Sequence, residues 1–261
     1  MNTCAFWSFY WGAHAASMAG LAVATTLAAA GFVPPVATKL LEELSRYGKP
    51  LSAARPACSV AKRYFVHFYV VGTCVNSGIL WTWGGTLSWL YQIQVSRRLG
   101  ESLFVTHFSS LARMHVLHYI LGISYYIAVP LTLRCIDGNS LAYATWALWL
   151  GSGLFLAANW VQFVCHKNLA TLRPAQAHAG PVEYTVPHRF WFDLVSCPHY
   201  MAEVAAYVAL GVVAGGSRPA VLLALFVAIE LTLSATIQHA WYHRTFREYP
   251  RARRAILPFV L

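Results

Sequence analysis

The sequence predicts an all-α integral membrane protein, a single membrane domain over residues 1–261 built as a bundle of about seven transmembrane helices. Three observations predict it. Hydrophobic residues make up 58% of the chain and charged ones 11%, with a mean hydropathy of +0.50, which cannot supply the polar shell of a soluble globule. The apolar residues gather in long runs, most of them near the ~20 residues that carry a helix across the hydrocarbon core. The basic residues gather in clusters between those runs, as they do on one side of a membrane.

Taken in order, the first run, residues 6–33, is too long for the apolar region of a cleavable leader and is followed by basic residues, so it reads as a span. The second, residues 64–95, exceeds one ordinary helix. Charge decides how to divide it. Positive clusters lie at 39–63, 97–98, 167–189 and 244–254, while the connections 134–140 and 215–218 are almost uncharged. All four clusters then belong on the cytosolic side, which requires an even number of crossings between Arg63 and Arg97. Gly84-Gly85 supplies the turn. Runs 111–133, 141–165, 200–215 and 220–240 are one span each, leaving the N-terminus outside and the C-terminus in the cytosol.

The net charge of +10 therefore sits mainly on one face, where it answers either anionic lipid head groups or an anionic ligand. No nucleic-acid-binding motif accompanies the basic clusters, so no nucleic-acid partner is expected. The six cysteines show no metal-ligand spacing. Only Cys4 and Cys135 fall near the external face, where one disulfide is possible. His115 with His118, and His239 with His243, share helix faces, but no third ligand joins either pair and no metal is expected.

Ionisable groups within spans are expensive and mark candidate sites. His14, His67, His115, His118, Glu203, Glu230 and His239 are such groups. For His14, His67 and Glu230 a helix–helix hydrogen bond is the plainer reading. The segments CHKNLATLR (165–173) and EYTVPHRFWFDLVSCPHYMAE (183–203) are denser in polar and aromatic side chains. Either they lie amphipathically at the interface, or they wall a cavity with Arg and Lys for phosphates and Tyr or His for an amide or ribose. Neither a GxGxxG after a strand nor a Walker motif is present, so any nucleotide is held by helices and loops.

The closing stretch HAWYHRTFREYPRARRAILPFVL (239–261) resembles the C-terminal signature of the steroid 5-alpha-reductase family: an aromatic-Tyr, a Phe-acidic-x-Tyr-Pro and a basic run before a final Ile-Pro-Phe. Other stretches narrow the resemblance to the polyprenol (polyprenal) reductase branch. RYGK (46–49) followed by KRYFVHFYV (62–70) is similar to that branch's N-terminal region. CHKNLATLR fits its Cys-His-x-x-Leu-x-x-Leu-Arg, and VSCPHYMAE (195–203) fits its Val-Ser-Ser-Pro-Asn-Tyr-Leu-Ala-Glu. The agreement runs collinearly from about residue 40 to residue 261.

The resemblance implies seven transmembrane helices around a cytosol-facing cofactor cavity at the endoplasmic reticulum, and NADPH-dependent reduction of a double bond conjugated to a carbonyl. It divides the chain into N-terminal helices with a substrate-side loop (1–110) and an NADPH-binding part (111–261). It puts Gln162, His166, Arg173, Tyr184, His199, Glu203, His239 and Tyr242 at cofactor-contacting positions. His199 stands where the family usually has Asn, and VPHRFWFD replaces a Gly-containing stretch. The tail is expected to fold back over the cofactor with His239 and Tyr242 turned inward, and Arg251 to Arg254 facing lipid head groups.

The resemblance also places an acidic residue beyond the first span against the substrate carbonyl, here Glu43 beside Glu42; the steroid branch's partnering Tyr has no match near Gln94 to Ser96, and Tyr47 is the candidate in its place. Hydride adds only to an electrophilic carbon, which an isolated allylic alkene lacks. The aldehyde polyprenal, not polyprenol, is therefore the expected substrate, with a Glu43 kept protonated by burial donating to the carbonyl oxygen as charge gathers there. A long isoprenoid tail would leave sideways into the bilayer. A 3-oxo-4-ene steroid or an enoyl thioester suits the same chemistry. An isoprenylcysteine-type methyltransferase and a lipid transporter are the readings from other classes.

Overall fold

The computed structural model describes residues 3–29, 59–108, 112–139, 143–172 and 184–260. Among them the chain forms seven α-helices: α1 (Thr3–Ala29), α2 (Phe65–Thr82), α3 (Thr86–Phe104), α4 (Val116–Asn139), α5 (Thr145–Thr171), α6 (Pro198–Val213) and α7 (Arg218–Thr245). Three of these, α4, α5 and α7, are long and apolar enough to cross a membrane. Their outward faces carry large apolar side chains such as Leu121, Trp149 and Leu225, which only a lipid solvent accommodates in such number. A three-residue ribbon that sequence reasoning did not expect pairs β1 (Ser59–Ala61) antiparallel with β2 (Arg113–His115).

The long second run does divide at Gly84-Gly85. Both glycines take positive φ, 70° and 129°, a conformation that costs glycine little. At Gly85 a Cβ would lie 2.1 Å from Asp137 Oδ2, so this position also needs the absence of a side chain. The Asp137 carboxylate, from the last turn of α4, accepts hydrogen bonds from the Leu87 and Ser88 amides at 3.1 Å each and from Ser88 Oγ at 2.9 Å. It also accepts one from the Tyr143 hydroxyl. α3 has no capping side chain of its own. Asp137 satisfies its orphan donors and meets the positive end of its dipole.

Packing between helices follows membrane rules, with small residues at close approaches and polar side chains as cross-ties. α5 lies against α6, where a Cβ on Gly151 would come within 2.5 Å of Val213 Cγ2. Trp11 Nε1 in α1 donates to Thr132 Oγ1 in α4 at 2.9 Å. Asn76 in α2 donates to Ser88 O and Gln92 Oε1 in α3 at 2.9 and 2.7 Å, and Tyr125 donates to Tyr207 Oη at 2.6 Å. His67 makes its helix–helix bond, to the Tyr119 hydroxyl at 2.9 Å. His14 instead bonds Tyr10 O in its own helix, as Glu230 accepts from Ser234 in its own. The possible disulfide exists: Cys4 and Cys135 join α1 to α4.

Beyond α7 the tail doubles back across the segment that precedes α6. Arg254 N donates to Leu194 O at 3.2 Å, Ser196 N to Arg254 O at 2.8 Å and Cys197 N to Ala255 O at 3.1 Å. Ala255 and Ile256 are buried against Ala235 and Cys197. The basic run does not all face outward. Arg251 and Arg254 are exposed, but Arg253 is buried, donating to Pro187 O at 2.8 Å and lying 3.0 Å from His188 Nδ1 and over the Tyr249 ring. The expectation of a uniformly lipid-facing run fails there because the tail's return turns Arg253 inward.

Candidate functional site

Helix spacing prepares one polar face on each of three helices. On α5, Asn159, Gln162 and His166 follow one another at intervals of three and four residues, and so share a face. On α3, Glu101 stands four residues after Arg97 and three after Arg98, within reach of both, and on α6 His199 and Glu203 lie one turn apart. These faces meet. The Arg97 guanidinium donates to Asn159 Oδ1 at 3.1 Å and also to Gln162 Oε1 and Glu101. Gln162 Nε2 donates to Glu203 Oε2 at 2.8 Å and to His199 O at 3.4 Å. Arg98 pairs with Glu101, donates to the Tyr69 hydroxyl at 2.6 Å and reaches His166 Nδ1 at 2.8 Å.

Glu101 is 2% exposed and holds both arginines, as a buried carboxylate must be paired. His166 Nδ1 also lies 2.7 Å from Glu101 Oε2. As an N–H it donates to that carboxylate; as a bare nitrogen it accepts from Arg98, so the Glu101–Arg98 pair can hold either tautomer. The His199 ring stands 5.6 Å from that of His166, and its Nδ1 is buried with no hydrogen-bond partner among the described residues.

A second group forms where the tail returns. Ser196 Oγ, buried, is 2.6 Å from His239 Nδ1 and 2.7 Å from the Tyr249 hydroxyl. His239 Nε2 is 3.2 Å from His243 Nε2. Tyr242 stacks on Tyr249 with ring centroids 5.1 Å apart, and Tyr184 meets Trp241 edge-on at 5.2 Å. The peptide from Ser196 to His199, entering α6 with Pro198 in its first turn, connects the two groups.

Of the residues singled out from sequence, Gln162, His166, His199 and Glu203 converge in the first group. His239 and Tyr242 belong to the second, turned inward, with Tyr184 at its edge. Arg173, Glu43 and Tyr47 lie outside the described residues. Among the described residues no three His, Cys, Asp or Glu side chains are placed to hold a metal ion.

Sequence reasoning missed Arg97, Arg98, Glu101, Asn159, Ser196 and Tyr249. It took Arg97 and Arg98 for surface charge in a connection; they sit within α3 with side chains only 17% and 16% exposed. The carboxylate at Glu101, three and four residues on, was the available signal of a paired, inward cluster. Tyr249 and Ser196 lie inside FREYP and VSCPHYMAE, but nothing in either stretch signals that their hydroxyls meet.

Fold and site together define an integral membrane protein of helices with a charged, hydrogen-bonded cluster in its interior. Residues 107–261 match the family model described as 3-oxo-5-alpha-steroid 4-dehydrogenase. The chain is 32% identical to polyprenal reductase 1 of Arabidopsis thaliana, over 82% of this chain and 85% of that protein. It is 32% identical to the polyprenal reductase of Homo sapiens, over 88% of each. It is 37% identical to polyprenal reductase 1 of Oryza sativa subsp. indica, but there the match spans 66% of this chain and 57% of that protein. The chain belongs to the 3-oxo-5-alpha-steroid 4-dehydrogenase (steroid 5-alpha-reductase) family, in its polyprenal reductase branch.

Proposed function

We propose that the chain is an NADPH-dependent oxidoreductase that saturates the alpha-isoprene double bond of polyprenal, serving dolichol formation and hence protein N-glycosylation at the endoplasmic reticulum membrane. The observation that carries this reading is the convergence of Gln162, His166, His199 and Glu203 beside Arg97 and Arg98, in a chain whose relatives are named polyprenal reductases. All seven helices cross the bilayer, the N-terminus outside and the C-terminus in the cytosol, with the cofactor cavity facing the cytosol.

The donor set suits a dinucleotide. The His199 Nδ1, buried and without a hydrogen-bond partner among the described residues, is available to a carboxamide or ribose hydroxyl, and guanidinium groups match phosphate oxygens. Gln162, His166, Arg173, Tyr184, His199, Glu203, His239 and Tyr242 hold the cofactor, with Arg97 and Arg98 fixing the α5 face. NADPH supplies hydride when bound. Glu43, with Tyr47, donates a hydrogen bond to the substrate's carbonyl oxygen, stabilising the charge that builds there. The isoprenoid tail remains in the membrane lipid.

The test incubates the purified protein with NADPH and, separately, polyprenal, polyprenol and testosterone, reading products by mass spectrometry, with Glu43→Gln alongside. Gain of two hydrogens by polyprenal alone, lost in the variant, is the expected result. Turnover of testosterone alone assigns a steroid substrate, and no turnover of any substrate removes the reductase reading.

A further inference from the structure

The segment between α5 and α6 belongs, by the charge pattern, to the cytosolic side, and its second half reads from sequence either as an interfacial segment or as a cavity wall. Its contacts bear on that choice. Asn168, near the end of α5, donates to His188 O at 2.9 Å, which fixes the level of His188. Two residues on, the Phe190 ring meets Trp160 edge-on at 6.0 Å. Trp160 is near the midpoint of the 27-residue α5, one of the helices able to span a membrane, and is itself 60% exposed on its outer face. The two contact points on α5 lie eight residues, about 12 Å, apart along the helix axis; two residues of backbone cover at most about 7 Å of that, and the Phe190 and Trp160 side chains bridge the rest. The Phe190 ring thus lies against the exposed middle of α5, on the side that a span turns to lipid.

This piece is a tight turn. Phe190–Asp193 forms one turn of 3₁₀ helix, entered through Arg189 and Phe190 at φ 73° and 55° and held by the Asp193 carboxylate on the Arg189 amide at 3.1 Å. Its side chains divide. Phe192 is fully buried with its ring 6.2 Å from that of His199, whereas Phe190, Trp191 and Leu194 are exposed. The tail joins this turn through the Arg254–Leu194 backbone bond and adds Leu257, Phe259 and Val260, the last two 84% and 76% exposed. Arg189, Arg247, Arg251 and Arg254 are exposed on the same two segments.

We propose that the Phe190–Asp193 turn dips into the bilayer beside α5 and, with Leu257, Phe259 and Val260, seats this end of the molecule in an anionic leaflet. Apolar side chains interleaved with arginines, continuous with the lipid-facing side of a span, fit acyl chains below and anionic head groups above. The seat rests on the reading of α5 as a membrane span.

The test reconstitutes the full chain in phospholipid nanodiscs and adds a probe at an exposed position, Phe259→Trp, with Trp191→Phe as the subtractive counterpart. Fluorescence is quenched either by brominated acyl chains or by aqueous iodide. Both tryptophan contributions are expected to be quenched by the brominated lipid and shielded from iodide, with Phe259→Trp quenched at least twofold more when phosphatidylserine accompanies phosphatidylcholine. Quenching by iodide and not by brominated lipid overturns the seat, and equal quenching in the two lipid mixtures overturns its anionic preference. Polyprenal turnover measured on the same nanodiscs separates failure of the seat from failure of the proposed activity.

Discussion

Glu101 is the side chain on which the interior cluster depends, because one carboxylate faces two guanidinium groups and an imidazole. Removing one partner of a buried pair leaves uncompensated charge and costs more than the pair contributes. Glu101→Gln is therefore expected to destabilise the fold by about 3 kcal/mol, read as a lower unfolding midpoint in detergent. Changing Arg97, Arg98 and Glu101 together to Met should recover most of that loss; failure to recover would mean the cluster stabilises by more than charge pairing. His199 bears on binding instead. Asn, the residue usual in the family at that position, preserves a side-chain donor and acceptor, so His199→Asn should change the KM for NADPH little. His199→Leu should raise it about tenfold, the worth of roughly one lost hydrogen bond; equal effects of both variants would remove His199 from the cofactor site.

At the scale of elements, what was legible was what local sequence controls. Gly84-Gly85 announced a turn because two adjacent glycines between apolar runs have few other uses, and that turn divides α2 from α3. The cap of α3 was not legible, since Asp137 reaches it from about 50 residues away and no local pattern links the two. The inward arginines escaped notice for a related reason: the positive-inside rule counts charges near span ends and says nothing of where they point. Gln162 and Glu203, by contrast, were found through motif resemblance, and only the packing of α5 on α6 explains why they touch. Asp137→Ala is expected to lower stability by about 1–2 kcal/mol, as loss of a strong N-cap does. Gly85→Ala should cost at least as much, through both the positive φ and the contact with Asp137. Thermal unfolding of both variants checks this, and an unchanged midpoint for Asp137→Ala would show that water caps α3 equally well.

For the whole molecule, the positions of the ends of the helices give an argument about sidedness that hydropathy alone does not. The Cys4–Cys135 disulfide brings the start of α1 and the end of α4 to one face, and Asp137 brings the α2–α3 turn to the same face. The interior cluster and the returning tail lie toward the other ends of α3, α5 and α7. A disulfide forms and persists where the compartment is oxidising, which supports the proposed topology, with that face toward the lumen and the arginine-rich tail toward the cytosol. In sealed microsomes, therefore, a membrane-impermeant thiol reagent should fail to modify Cys4 and Cys135 even after a permeant reductant is added and removed. Opening the vesicles with detergent should then expose both. A protease added outside sealed vesicles should meanwhile cut near Arg251. Modification of both cysteines in sealed, reduced vesicles, with the tail protected, would invert the topology and move the proposed NADPH site away from the cytosolic cofactor pool.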